Sequence, residues 1–192
     1  AHAPRIIGVD PAYSGVDDAV IYFRQGLHSK ALWTGNKTTD DLIMAKRIAD
    51  FEDQYQADAV FIDFGYGTGL KSIGDGWGRT WQLVPFGGAS ADPQMLNKRG
   101  EMFNACKTWL KLGGALDDQE TADDLSAAEY KVRVDGKIVM EPKEDIKERL
   151  GRSPGKGDAL LLTFAYPVTK RSDFPAAGGK QPNVISEYDP WA

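Results

Sequence analysis

Short runs of apolar residues separated by turn residues predict five strands. The first is expected at about 5–10, and after a Pro-Ala-Tyr-Ser-Gly turn two more follow at about 18–24 and 28–34. These three lie close enough in sequence to form an antiparallel meander. A buried strand is expected at 58–63 and a short one at 81–85.

Apolar residues at helical spacing predict helices between and after the later strands. A first helix begins after Thr38 or Thr39, has acids in its first turn and runs to Tyr55. A long helix is expected over 94–112, where Gly113 and Gly114 stop it, and shorter ones over 142–150 and 158–166. Strands that alternate with helices pair in parallel, so the pattern predicts a mixed α/β sheet flanked by helices.

Three segments rich in turn residues complete the layout. The glycine-rich stretch after Asp63, to Gly78, is interpreted as a flexible loop. Residues 130–140 predict an added β-hairpin, because Asp135-Gly136 is a favoured two-residue turn between alternating strands. From residue 170 onward Pro, Gly, Ser and charged residues dominate, so the prediction is one domain over 1–169 and a tail with little structure over 170–192.

Composition restricts the class of protein. A chain of 192 residues with 42% hydrophobic residues can bury the core of one domain. Cys106 is the single cysteine, so it cannot form an internal disulfide, and a reducing compartment with Cys106 buried on a helix is expected. No run approaches the roughly 20 apolar residues that span a bilayer, and residues 1–5 lack a signal peptide's apolar core. Neither membrane insertion nor secretion is therefore expected.

The charge distribution matters more than the net charge of −5. Residues 117–129 carry six acidic residues and no Lys or Arg, whereas 131–156 carry eight basic residues against five acidic ones. A negative sum disfavours a nucleic-acid partner in general. The locally basic segment still allows a nucleic-acid partner. Bound cations can also supply positive charge at an acidic site.

Three aspartates stand at the ends of apolar runs. Asp10 and Asp63 close predicted strands, and Asp158 opens the apolar run of the last helix. Each alone has a plain structural interpretation: a turn start, a backbone hydrogen-bond acceptor and a helix N-cap. Together they favour a ligand site at the sheet edge, and carboxylates suit Mg²⁺ or Mn²⁺.

Other sequence motifs do not meet the requirements of the sites that they resemble. The segment from Gly151 to Lys156 superficially suggests a phosphate-binding P-loop, but its glycine spacing is short and Gly157 stands where Ser or Thr is needed. The chain is therefore expected to have no ATPase site of its own. His2 and His28 are too few and too isolated for zinc, and no Ser or Cys has a plausible His partner.

The order of these elements and acids is similar to the ribonuclease H-like fold, and the chain resembles the nuclease domain of tailed-phage terminase large subunits. The matching residues extend over about 5–166. They are Gly8-Val-Asp10-Pro-Ala with Asp17-Asp18-Ala, Phe61-Ile-Asp63, Asn97-Lys-Arg-Gly-Glu-Met102, Gly151-Arg-Ser-Pro154 and Asp158-Ala-Leu160. Gly155 stands where the family usually has a further acid.

The resemblance implies a Mg²⁺- or Mn²⁺-dependent endonuclease that cuts concatemeric double-stranded viral DNA during packaging. Two divalent ions can activate the nucleophile and stabilise both the phosphoryl and the leaving oxygens. Asp10 is expected to bridge both ions, and Asp63 and Asp158 to bind one each. Asp17 and Asp18 are outer-shell candidates, and the hairpin is expected to adjust access to the cleft. The candidate DNA contacts are Lys98, Arg99, Arg133, Lys137 and Lys156.

The same resemblance implies partners and a location. They are an upstream ATPase domain in a longer protein, the small terminase subunit, and the portal of the procapsid in the host bacterial cytoplasm. Three alternatives stay open. One is half of a sugar-kinase or actin-like ATPase, which would bind ATP; another is a Holliday-junction resolvase of the same fold, which would prefer branched DNA. The third is a catalytically silent DNA- or portal-binding module.

Overall fold

The computed structural model describes residues 3–11, 17–36 and 40–171, which contain seven strands and six helices. The strands are β1 (Arg5–Asp10), β2 (Asp18–Gln25), β3 (His28–Asn36), β4 (Ala59–Asp63), β5 (Gln82–Val84), β6 (Tyr130–Val132) and β7 (Ile138–Met140). The helices are α1 (Asp41–Tyr55), α2 (Phe64–Gly76), α3 (Lys98–Lys111), α4 (Gln119–Ser126), α5 (Lys143–Leu150) and α6 (Gly155–Leu162). None of these helices is long and apolar enough to cross a membrane.

Five strands form one mixed sheet in the order β3-β2-β1-β4-β5. The first three pair antiparallel, and β4 and β5 extend the sheet in parallel beside β1. Strands β6 and β7 form a separate antiparallel hairpin. The predicted fold, with three antiparallel strands followed by two parallel ones and an added hairpin, is therefore confirmed.

Successive side chains of the central strands point to opposite faces of the sheet, so the core has one apolar layer on each face. In β1, Ile7 and Val9 face the layer that α1 and α2 cover, whereas Ile6 packs with residues of α3 and α6. Because strand side chains alternate with a period of two, Asp10 shares its face with Ile6 and not with Val9. The same parity places Asp63 on the face of Phe61, which belongs to the α3 and α6 layer. The strand pattern thus directs both carboxylates to the side where α6 lies.

Helix α6 crosses the sheet in unusually close contact with β1. A Cβ atom at Gly8 would lie 2.0 Å from the backbone oxygen of Ala159. Only a residue without a side chain permits that approach. Gly8 therefore fixes the distance between the strand that ends in Asp10 and the helix that carries Asp158.

The glycine-rich stretch after Asp63 is a helix and not the predicted loop. Glycine has low helix propensity, but here the missing side chains let α2 pack tightly. A Cβ at Gly67 would lie 2.6 Å from Ile62 Cγ2, and one at Gly74 would lie 2.5 Å from Trp81 Cε3. Tertiary packing against β4 and Trp81 therefore outweighs the local preference.

Three other predicted boundaries were wrong. Helix α3 begins at Lys98 and not at residue 94, because Asn97 caps it and accepts from the N–H of Gly100. The hairpin closes through a three-residue loop, since Arg133 N donates to Lys137 O and Gly136 takes a φ of 80°. Helix α6 begins at Gly155, so Asp158 lies in its first turn and is not its N-cap.

Helix α1 buries only some of its apolar residues. Ile48 is buried, but Leu42 and Ile43 are exposed at the start of the helix, where Asp40 is the N-cap. Thr38 and Thr39 lie outside the described residues. Cys106 is buried in α3 as expected, and burial raises the pKa of its thiol to about 12.

The acidic segment 117–129 contains α4, which the sequence pattern did not predict, and two of its acids form hydrogen bonds within the fold. Asp117 accepts from the hydroxyl of Tyr22 at 2.6 Å and from the N–H of Ala31 at 2.7 Å. Asp118 caps α4 by accepting from the N–H of Thr121. Asp117 therefore connects this segment to β2 and β3, and Asp118 stabilises the start of α4.

The last described residues are attached to the α1 side of the fold. The N–H of Arg171 donates to Asp58 at 2.9 Å, and its guanidinium donates to the buried Glu52 at 3.2 Å. Residues 170 and 171, which were assigned to the tail, thus lie against the domain here. The rest of the predicted tail, residues 172–192, lies outside the described residues, and the domain boundary stays a prediction.

Candidate functional site

Asp10 and Asp63 lie side by side at the carboxyl edge of the sheet. Strands β1 and β4 are parallel neighbours whose register pairs Val9 with Ile62. One further residue along each strand reaches Asp10 and Asp63. Side chains at this edge of an open α/β sheet are placed for ligand binding.

Asp158 reaches the same edge from α6, and the start of α6 is fixed by α4. The buried carboxylate of Asp124 accepts from the N–H of Gly157 at 2.9 Å and from Arg152 at 2.5 Å. A Cβ at Gly157 would lie 2.7 Å from Asp124 Cβ, so glycine is needed for this contact. The acidic segment therefore positions Asp158.

A lysine that the sequence pattern did not predict as part of the site lies between two of these carboxylates. Lys143, the first residue of α5, places its Nζ 3.1 Å from Asp10 Oδ2 and 2.8 Å from Asp158 Oδ2. The ammonium is thus a single cation shared by two carboxylate oxygens from different elements. Both oxygens are already oriented towards one common cation position.

Burial and neighbouring charges shift the pKa values of Asp10, Asp63 and Lys143. Burial raises the pKa of Asp10 to about 6; Lys143 opposes this effect, while the charges of Asp158 and Asp63 add to it. Burial also raises the pKa of Asp63, and the neighbouring N–H of Gly65 partly offsets the rise. For Lys143, burial disfavours the charge, but the charges of Asp158 and Asp10 outweigh burial and raise its pKa. Such mutual perturbation is typical of functional sites.

The site is not a preformed acidic cage. Within residues 3–11, 17–36 and 40–171, no group of three or more His, Cys, Asp or Glu side chains is arranged to hold a metal ion. The position between Asp10 and Asp158 is taken by the Lys143 ammonium. A divalent ion that used these oxygens would replace that ammonium.

Asp17 and Asp18, the two outer-shell candidates, have different surroundings. Asp17 pairs with Lys147 of α5, its Oδ2 lying 2.6 Å from the lysine Nζ. Asp18 is the exposed first residue of β2, opposite Asn36. Gly155, where the family that the chain resembles usually has a further acid, lies beside Asp10, because a Cβ there would be 3.7 Å from Asp10 Oδ2.

Two of the five predicted DNA contacts are held by partners inside the protein. Lys98 is buried, and its Nζ lies 2.8 Å from Glu101 Oε1 and 3.2 Å from the backbone oxygen of Ala165. Lys156 Nζ lies 2.5 Å from Asp118 and 2.6 Å from Glu120. Both ammonium groups therefore already have partners within the protein, and their roles as phosphate contacts stay predictions.

Two other candidates lie on the hairpin. Arg133 is exposed and has its Nε 3.6 Å from Asp135 Oδ1, and Lys137 is partly exposed. Exposed ion pairs of this kind are weak, so both side chains are accessible to a phosphate. The fifth candidate, Arg99, is buried beside Asp158, with its Nη2 3.7 Å from Asp158 Oδ1.

Comparison with solved structures places this fold among phage terminases. The nuclease domain of the large terminase subunit gp2 of bacterial virus Sf6 matches with a TM-score of 0.68 at 19% identity, covering 87% of this chain and 90% of that one. The large terminase nuclease from thermophilic phage G20c matches with a TM-score of 0.58 at 17% identity, covering 85% and 82%. The large terminase of another thermophilic bacteriophage matches with a TM-score of 0.52 at 11% identity, covering 85% of this chain and 39% of that one.

Related structures of the first two neighbours carry metal ions: a mutant of the Sf6 domain with manganese and the G20c nuclease with magnesium. No protein-family model and no curated protein matches the sequence. At these identities the matches show the fold. The chain therefore has the fold of phage large-terminase nuclease domains, and the resemblance found in the sequence is confirmed at that level.

Proposed function

We propose that this protein is a divalent-metal-dependent endonuclease that cuts double-stranded DNA during phage genome packaging. The observation that carries the proposal is the convergence of Asp10 and Asp158 on one cation, with Asp63 beside Asp10 at the same sheet edge. All three carboxylates are partly or fully buried. The chain also has the fold of phage large-terminase nuclease domains.

The residues at this edge fit Mg²⁺ or Mn²⁺. These cations prefer oxygen ligands, and all three aspartates offer carboxylate oxygens. The ammonium of Lys143 shows that Asp10 Oδ2 and Asp158 Oδ2 face a common cation. When bound, two divalent ions would supply an activated water and would stabilise charge on the phosphoryl and leaving oxygens.

The protein's own contribution is to hold the ligands in place. In this proposal Asp10, at the end of a central strand, would hold both ions, and Asp63 and Asp158 would hold one each. Gly8 and Asp124 fix α6 against the sheet, so the distance between Asp10 and Asp158 is set by the core. Once displaced from the carboxylates, the Lys143 ammonium can approach a phosphate, because lysine has a flexible stem and three donors.

The hairpin supplies the accessible positive charge. Arg133 and Lys137 lie in or beside its loop, and Leu96 N donates to Ile138 O, which attaches the hairpin to the chain before α3. Phosphate contacts at such a loop would position DNA without reading its sequence. We therefore propose that Arg133 and Lys137 bind the DNA backbone and that the hairpin adjusts access to the cleft.

The same proposal assigns partners. In a packaging motor the chain would act beside an upstream ATPase domain, the small terminase subunit and the procapsid portal, in the bacterial host cytoplasm. The match to the third solved structure supports a longer protein, since this chain spans 39% of that large terminase.

Cleavage of supercoiled plasmid tests the proposal. Wild-type protein should nick and linearise the plasmid with Mn²⁺ or Mg²⁺ but not with EDTA, and Asp10→Ala, Asp63→Ala and Asp158→Ala should each abolish cutting. Binding of DNA without cutting under any metal would indicate the catalytically silent module. Faster cutting of a four-way junction than of linear duplex would indicate a resolvase.

The affinity for Mn²⁺ should become weaker as the pH is lowered below about 6. Burial raises the pKa of Asp10 to about 6, and the neutral acid is a poor metal ligand. If one proton competes with the ion, the apparent affinity drops about tenfold per pH unit in that range. Calorimetric titration with Mn²⁺ at pH 5, 6 and 7.5 measures the slope. An affinity that stays constant between pH 5 and 7.5 would show that Asp10 is not a ligand.

A further inference from the structure

Arg99 is a buried cation, and some of its N–H groups form no hydrogen bond with the described residues. Its side chain is 10% exposed, and its Nε and Nη2 atoms are buried without a hydrogen-bond partner in the part of the chain that the structure describes. Leaving charged donors unpaired inside a protein is costly, so such groups have a compensating role. Arg99 is the second residue of α3, and its own N–H donates to Phe86 O, which anchors the backbone.

The guanidinium is held in place by aromatic side chains. Its central carbon lies 5.7 Å from the ring centres of both Phe86 and Phe103. This packing limits movement of the planar group, in contrast with the 31% exposed side chain of Lys143. Arg99 is therefore the fixed cation at this edge of the sheet, and Lys143 is the more mobile one.

The two cations flank opposite oxygens of one carboxylate. Arg99 Nη2 lies 3.7 Å from Asp158 Oδ1, and Lys143 Nζ lies 2.8 Å from Asp158 Oδ2. A metal ion that replaces Lys143 would use Oδ2 and leave Oδ1 beside Arg99. The charge on Arg99 would then attract Oδ1 and hold Oδ2 towards the ion.

We infer that Arg99 is a positioning residue whose fixed charge orients Asp158 for metal binding, and not a direct contact to DNA as its sequence context predicts. The inference rests on the proposed metal-dependent function. Burial of Nε and Nη2 supports it, because a phosphate outside the protein cannot reach atoms that have no exposed surface. Residues that orient a metal ligand typically change metal affinity or activity by about 10- to 100-fold when removed.

Mn²⁺ binding without DNA tests the inference. Arg99→Met should weaken Mn²⁺ binding in calorimetry by about 10- to 100-fold, whereas Arg99→Lys, which keeps a charge beside Asp158, should stay within a few fold of wild type. Lys107→Met removes an exposed charge from the same helix and should change nothing. If Arg99→Met does not fold by circular dichroism, Arg99→Gln replaces it with the same expected loss.

DNA affinity separates the inference from the direct-contact alternative. With EDTA present, fluorescence anisotropy should give equal duplex affinity for wild type and Arg99→Met. Weaker DNA binding with a shallower salt dependence, and unchanged Mn²⁺ affinity, would identify a phosphate contact and overturn the inference. Equal or tighter Mn²⁺ binding by Arg99→Met would overturn it too. Absence of Mn²⁺ binding by the wild type would instead refute the proposed function.

Discussion

Asp10→Asn is expected to abolish metal-dependent DNA cleavage and, at the same time, to stabilise the metal-free protein at pH 8. Under the proposed function Asp10 would hold both metal ions, so its loss should reduce cleavage by at least about 1000-fold, as for residues that act as one catalytic unit. Asn keeps the size of the side chain but removes its charge. Plasmid cleavage with Mn²⁺ measures the first effect, and thermal unfolding in EDTA measures the second.

The stability effect follows from the raised pKa of Asp10. A carboxyl whose folded-state pKa is about 6, against an ordinary 3.8, favours folding only while it is protonated. This contribution is complete below pH 4 and is lost as the pH rises through 6. Asn avoids the loss, so at pH 8 the free energy of unfolding should rise by up to about 3 kcal/mol, and at pH 4 the gain should vanish.

Asp50→Asn is the matched control, because Asp50 is 66% exposed on α1 and pairs with Lys46 four residues before it. It should alter neither cleavage nor stability beyond about 0.5 kcal/mol. Undiminished cleavage by Asp10→Asn would remove Asp10 from the proposed site. A lower melting temperature at pH 8 would instead show that its carboxylate is a structural group.

Among substitutions that add one methyl group near the site, Gly8→Ala should destabilise the protein most. The added Cβ would lie 2.0 Å from the backbone oxygen of Ala159 and 3.1 Å from Leu162 Cβ, so α6 must move away from β1. Overpacking against backbone at a buried crossing costs about 3 kcal/mol or more. For a chain of this size we expect the melting temperature to fall by roughly 6–12 °C.

The same displacement would separate Asp158 from Asp10, so cleavage at a temperature where Gly8→Ala is still folded should also fall. Gly76→Ala is the control, since a Cβ at that helical glycine meets no atom within 4 Å. It should be neutral or stabilising by up to about 1 kcal/mol. A melting temperature of Gly8→Ala equal to that of wild type would show that β1 and α6 are farther apart than described.

Local patterns were sufficient to predict the sheet and the edge where the aspartates lie. Strand alternation is a property of neighbouring residues, so the parity of Ile6 and Asp10 along β1 is readable from the chain alone. The side-by-side position of Asp10 and Asp63 follows once β1 and β4 are parallel neighbours. Their roles as ligands, like that of Asp158, stay predictions.

Features that depend on packing between distant elements were not predictable. Lys143 reaches Asp10 only because α5 lies over the sheet edge, and 133 residues separate the two in sequence. The buried state of Lys98 depends on Ala165 and Tyr166 just after α6. Helix α2 forms because Gly74 packs against Trp81, a contact that glycine's local propensity does not reveal.

Anomalous diffraction from a crystal of the protein with Mn²⁺ would locate metal ions bound at the three aspartates. The proposed function predicts two manganese peaks at the carboxyl edge of the sheet, bound by Asp10, Asp63 and Asp158, with the Lys143 ammonium moved away from Asp10 and Asp158. A crystal at neutral pH and millimolar Mn²⁺ that shows no peak at this edge, with Lys143 still between the two carboxylates, would contradict it.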